Sequence, residues 1–191
     1  LVVGIPPWLA RNVLKRSFFD RTERFLSRAP VAWLIGNVTI WVWHAPFLYN
    51  PALEHEIIHI AEHLSFVVSA TILWWPVLAP LEERRLPPLV VIVYLFLTGV
   101  SNVILGILLT FASPGLYPAY VNPEDEYGAL TYLRDTVGLT PKVDQQWGGL
   151  LMWVPGSVVY LIASLAALAR WYREAEGESV DSEAASSSAS G

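Results

Sequence analysis

Apolar residues gather into four long runs, about 30–49, 54–79, 88–112 and 146–170, with prolines in the gaps between them. Each run is near the ~20 residues an α-helix needs to cross a bilayer. Pro51, Pro80, Pro87-Pro88 and Pro114 bracket the runs, since proline lacks the N–H that continues a helical ladder. Pro155 falls inside the fourth run and is expected to kink it, a bend that neighbouring helices tolerate. The pattern predicts an all-α polytopic membrane bundle with four full spans.

Two further segments frame the bundle. Leu1–Ile5 is an apolar stub closed by Pro6-Pro7. It has no charged n-region and is not a signal peptide; it reads as a partial N-terminal helix whose start lies upstream. Residues 11–28 interleave Arg11, Lys15, Arg16, Arg21, Arg24 and Arg28 with Val13, Leu14, Phe18, Phe19, Phe25 and Leu26. That mixture predicts an interfacial amphipathic helix, with a charged loop as the alternative. Residues 114–143 form a long Pro- and Gly-containing loop that carries Glu124, Asp125 and Glu126. From Gly177 the chain turns to Ser, Ala and acids, a composition that buries too little apolar surface to order itself. The expected division is a membrane domain over 1–173 and a disordered tail over 174–191.

Composition agrees with this class. Of the 191 residues 54% are hydrophobic and 15% charged, with mean hydropathy +0.44, against roughly 25% charge in a soluble domain. The nine Trp and eight Tyr cluster near span ends, where amphipathic rings favour the interface. The chain has no cysteine, which excludes disulfides, thiolate metal sites and a Cys nucleophile. The net charge of −5 hides a segregation. With alternating spans, ten bases share one face: the six of 11–28, Arg84, Arg85, Arg170 and Arg173. Only Arg134 and Lys142 lie on the other. The positive-inside rule makes the ten-base face and the C-terminal tail cytoplasmic. The 114–143 loop and a short turn over 49–54 are then extracytoplasmic, in a multi-pass membrane protein.

Gly99 and Gly106 lie seven residues apart, as do Gly149 and Gly156. Such seams let helices approach closely in lipid, and Asn37, Asn102, Ser65, Ser69 and Ser101 can hydrogen-bond across them.

Ionisable and strongly polar groups inside or beside the spans carry the candidate chemistry, because they are costly in a bilayer. Trp43-His44-Ala45-Pro46 closes the first run, His59-Ile60-Ala61-Glu62-His63 opens the second, and Asp144-Gln145-Gln146 opens the fourth. His55, His59 and His63 are spaced to form one helical stripe. The topology puts His44, His59, His63, Asp144, Gln145 and Met152 in the outer half of one bundle. Imidazole suits copper, zinc and iron, and a thioether suits copper(I), so the set predicts a copper site. The competing reading is a structural network in which Asp144 or Glu62 pairs with a histidine. Haem, held by His44 with His59 or His63, ranks below copper. Solvation accounts for His55. The H-x-x-E-H order of 59–63 matches an inverted zinc-protease motif but has no third ligand at a known place. No nucleophile elbow, Gly-rich phosphate loop or basic nucleic-acid face is present, so neither an enzyme nor a nucleic-acid binder is expected.

Trp43–Asn50 (WHAPFLYN), EHLSF at 62–66, WWPVLAP at 74–80, LLTFASPGLYPAY at 108–120 and DQQWGGLLMWVPGSVVYL at 144–161 resemble the polytopic CtaG family of cytochrome c oxidase assembly factors, over roughly residues 1–173. The resemblance implies a plasma-membrane protein that helps mature a haem–copper oxidase, with copper delivery as the usual proposal. It implies oxidase subunits as partners and His44, His59, His63, Asp144, Gln145 and Met152 as the positions that matter; His55 lies outside the matched blocks. Members of the family carry additional N-terminal spans and a His-containing segment ahead of the stretch resembling Leu1–Ala10. That departure motivates the alternative of a metal-free structural accessory subunit of a larger respiratory or photosynthetic membrane complex.

Overall fold

A computed structural model of the chain describes residues 17–121 and 128–189, and every regular element among them is helical. In chain order these are α1 (Ser17–Leu26), α2 (Ala29–Trp43), α3 (Pro46–Glu54), α4 (Glu56–Leu78), α5 (Pro88–Phe111), α6 (Pro118–Val121), α7 (Ala129–Asp135) and α8 (Pro141–Ala189). Short 3₁₀ turns occupy Glu82–Arg84 and Pro114–Leu116. The expected stub over 1–5, residues 11–16 of the amphipathic segment and the acids at 124–126 lie outside the described residues.

Three helices, α4, α5 and α8, are long and apolar enough to cross a membrane; α2 and α3 add a fourth only if counted as one span bent by 67°. The continuous span expected over 30–49 is therefore corrected: it breaks at His44-Ala45. The cause is local. A residue before proline is pushed out of the helical region, and Ala45 sits at φ −70°, ψ 134°. Pro46 then opens α3, where its missing N–H has no ladder partner to lose. The turn expected over 49–54 is helical, and Pro51 lies inside α3 rather than ending a span. In so short a helix it removes a single ladder bond.

The fourth run belongs to a longer helix than expected. α8 runs through Pro155 and on to Ala189, so residues 174–189, expected to be disordered, are helical. Extending a formed helix needs no new nucleus, and Ala and Glu favour it. No proline follows Pro155 to stop it.

α5 is the central helix. Of its most apolar window 39% is buried, against 11% for α4 and 6% for α8. Leu73 and Val77 of α4, Val91, Tyr94 and Leu95 of α5 and Ala167 of α8 form the packed core, and Tyr94 donates to the Leu73 carbonyl at 2.7 Å. Of the glycine seams, Gly106 and Gly149 form the close approach. A Cβ on Gly149 would fall 2.9 Å from the Gly106 carbonyl oxygen, and one on Gly106 2.7 Å from the Trp153 Cβ. Gly99 makes only ordinary contact with Tyr160, and Gly156 faces open space. Of the expected cross-helix polar bonds two form: Trp41 Nε1 donates to Ser101 Oγ at 3.0 Å, and Asn102 Nδ2 to Tyr160 Oη at 3.3 Å. Asn37, Ser65 and Ser69 donate to carbonyls of their own helices.

The bases of α1, of the α4–α5 connection and of α8 meet at one end. Arg84 pairs with Glu23 of α1 at 2.6 Å, and the other Glu23 oxygen accepts from Trp75 Nε1 at 2.7 Å. Arg170 of α8 donates to the Leu86 carbonyl at 2.7 Å. The opposite end holds the C-terminus of α2 and the N-terminus of α8.

Gly149→Ala is expected to destabilise the bundle by about 1–3 kcal/mol, the range for overpacking a tight contact. Gly156→Ala is expected to be neutral or mildly stabilising, since alanine is the better helix former. Thermal unfolding of both variants in one detergent checks the contrast.

Candidate functional site

The break in the first span builds the site. His44 is the C-cap of α2, with φ −81° and ψ −3°, so its ring turns off the helix end. The His44 Nδ1–H donates to the Ile40 carbonyl at 2.7 Å. A carbonyl only accepts, so this bond places the proton on Nδ1 and leaves the Nε2 lone pair available. The imidazole stacks on Tyr49 at 6.1 Å between centroids and sits 6.4 Å from the Phe66 ring. Tyr117 donates its hydroxyl to the His44 carbonyl at 2.6 Å, and its ring lies 4.2 Å from that of Tyr49. α2, α3 and the segment after α5 are thereby fastened together.

Beside this cluster lies a cleft of about 210 Å³ whose lining includes His44, Tyr49, Tyr117, Asp144, Gln145 and Met152. Its floor is glycine: Gly148 and Gly149 line it too, and Gly149 has no room for a side chain. Gln145 donates to the carbonyls of Leu109 and Ala112 at 3.0 and 3.1 Å. It caps the C-terminus of α5, whose last carbonyls have no partner within the helix. Asp144 is the one carboxylate in the lining, which holds no Lys or Arg.

Four of the six expected site residues, His44, Asp144, Gln145 and Met152, thus line one cleft. His59 and His63 stand elsewhere, on an exposed part of α4, where their Nε2 atoms share a hydrogen bond of 2.8 Å. Glu62, between them in sequence, turns inward and is 9% exposed. His55 does not continue the stripe: it has extended backbone (φ −127°, ψ 114°) between α3 and α4. Among the described residues, no group of three His, Asp or Glu side chains is placed to hold a metal ion. The cleft offers a different donor set: one imidazole with a free Nε2, one carboxylate and one thioether. A mixed set of imidazole and thioether ligands suits copper(I), so the residues of the cleft fit that ion chemically. Tyr49 and Tyr117 escaped the sequence reading, although both lie inside the WHAPFLYN and LYPAY blocks.

The protein family whose model is described as cytochrome c oxidase caa3 assembly factor (Caa3_CtaG) matches residues 1–174. The chain belongs to this family. No curated protein and no solved structure matches the chain. Every residue of this Caa3_CtaG cleft falls within the matched stretch. Membership, with the apolar helices, makes the chain a membrane protein of an oxidase assembly family and points to a non-catalytic role.

Burial, and then the neighbouring Tyr49, push the Tyr117 hydroxyl up to about 12 from its ordinary 10.0. The neutral, donating form is therefore favoured in the fold. Its contribution is fully present below pH 10.0 and is lost as pH rises towards 12. Tyr117→Phe is expected to remove one tyrosinate absorbance step near pH 12. Leaving the His44 carbonyl unpaired should also cost about 1–3 kcal/mol. An alkaline absorbance titration beside a thermal melt checks both.

Proposed function

We propose that the chain serves the maturation of a haem–copper cytochrome c oxidase by holding copper on the extracytoplasmic side of a bacterial plasma membrane. The carrying observation is the cleft that brings His44, Asp144 and Met152 together, with the His44 tautomer set by the Ile40 carbonyl. Copper, when bound, is the cargo that the oxidase requires. His44 Nε2 and the Met152 thioether would supply the soft ligands and Asp144 the compensating charge, while Gln145 keeps the end of α5 in place. His59 and His63 form the second ligating pair, outside the cleft and open to a partner. A metal held by both rings would replace the proton their Nε2 atoms now share. Oxidase subunits are the proposed partners. The sidedness rests on the segregated bases, which gather at the end of the bundle away from the cleft.

A second reading is a structural accessory subunit of a larger respiratory or photosynthetic complex. The His59–His63 pair favours it, because the two rings satisfy each other without a metal.

Metal analysis separates the two readings. The purified protein is expected to bind close to one copper. His44→Ala with Met152→Leu should abolish it, and His59→Ala with His63→Ala should reduce it. Copper content unchanged by both double substitutions contradicts the metal reading. Co-purification of the chain with a large complex, in that case, supports the structural one.

A further inference from the structure

The basic end of the bundle carries a second cleft, of about 470 Å³, between α4, α5 and α8. One side is apolar, formed by Val77 and Leu78 of α4, Val91 of α5 and Ala163 and Ala166 of α8. The small alanines leave the space that a larger side chain would fill. The rim is Arg85, Arg170 and Arg173, with no acid in the lining. The same three arginines border an adjoining cleft of about 620 Å³, where Glu82 and Glu174 join them.

The arginines are not equally engaged. Arg85 Nε donates to the Ala79 carbonyl at 2.7 Å, and its Nη1 lies 3.9 Å from Glu82. Arg170 Nη2 donates to the Leu86 carbonyl at 2.7 Å, and its Nε lies 3.4 Å from Glu174. These bonds hold the two guanidinium groups in the lining of the cleft. Arg173 is exposed and makes no hydrogen bond or ion pair among the described residues. The rim therefore holds three cations, and the two bordering acids leave a surplus of positive charge.

We propose that this cleft is a binding site for an anionic phospholipid, with the lipid phosphate on Arg85, Arg170 and Arg173 and an acyl chain along the α4–α8 wall. Three observations favour a lipid over a soluble anion or an acidic peptide. The wall beneath the arginines is apolar, which a free phosphate does not need. That wall continues onto the exposed apolar surface of the bundle, where Leu78, Ile162 and Leu165 are 37%, 61% and 55% exposed. The arginines also stand level with Pro87-Pro88, where α5 enters its apolar run, the depth at which headgroups lie. Basic pockets between spans at a cytoplasmic surface bind anionic headgroups by the same physics, and a guanidinium matches a phosphate in two-pronged geometry.

Native mass spectrometry of the purified chain, with added phosphatidylglycerol or phosphatidylcholine, tests the site. The wild type is expected to retain phosphatidylglycerol in preference to phosphatidylcholine, and excess inorganic phosphate should not displace it. Arg173→Gln is expected to weaken retention about fivefold, the scale for one arginine near an anionic surface. Arg85→Gln with Arg173→Gln should weaken it further. Lys142→Gln, at the opposite end, should leave it unchanged. Arg173 makes no hydrogen bond or ion pair among the described residues, so its variant decides the matter even if the double variant unfolds. Equal retention of both lipids, or phosphatidylglycerol retention unchanged in Arg173→Gln, overturns the proposal. Displacement by inorganic phosphate would identify a free-anion site and also overturn it.

Discussion

Lipid offers a polypeptide no hydrogen bonds, so a helix that breaks within an apolar run must satisfy its backbone from its own side chains. This constraint organises the end of the bundle that holds the cleft. Pro46 forces the chain out of helix at Ala45, and three side chains bond carbonyls around the break. The His44 imidazole adds a second bond to the Ile40 carbonyl, which already accepts the His44 N–H, Tyr117 reaches the His44 carbonyl, and Asn50 bonds the Pro46 carbonyl at 2.8 Å. Two of these three, His44 and Tyr117, also border the cleft. An imidazole oriented by a carbonyl is also an imidazole with one nitrogen free, so ring orientation and ligand presentation come from one hydrogen bond.

The two ends of the molecule use charge in opposite ways. At the cleft end the lining carries one carboxylate, Asp144, and no Lys or Arg. At the other end arginines dominate, and acids such as Glu23 serve to fasten α1 and Trp75 to Arg84. Between them, α5 provides the rigid axis, and the Gly106–Gly149 contact sets how closely α8 approaches it. That approach places Asp144, Gln145 and Met152 opposite His44. A change of separation between α5 and α8 would therefore be felt at the cleft without touching any of its polar groups.

Much of this was legible from residue pattern. α4 and α5 match their expected spans within two residues, because hydropathy over a full crossing is a strong average signal. The same averaging hid the break at His44-Ala45, since apolar residues continue on both sides of it and only the pre-proline backbone rule marks the spot. The helical stripe of three histidines needed one continuous helix, and His55 falls just before α4 begins. A spacing of seven places glycines on one face but does not say where two helices converge, so Gly106 and Gly149 form the contact while Gly99 and Gly156 do not. Tyr49 and Tyr117 were read with the other aromatic residues as interface anchors; their joint role depends on a contact between distant segments that no local pattern encodes.

The central claim is that the first span bends by 67° at His44-Ala45 and lays Tyr49 against Tyr117. The chain has no cysteine of its own, so paired cysteines report this directly. In membranes, Tyr49→Cys with Tyr117→Cys is expected to cross-link rapidly under mild oxidation. Phe47→Cys with Tyr117→Cys should not, because Phe47 is 72% exposed on the other side of α3. Cross-linking of the first pair no faster than of the second would mean that the span runs on unbroken, and would contradict the account.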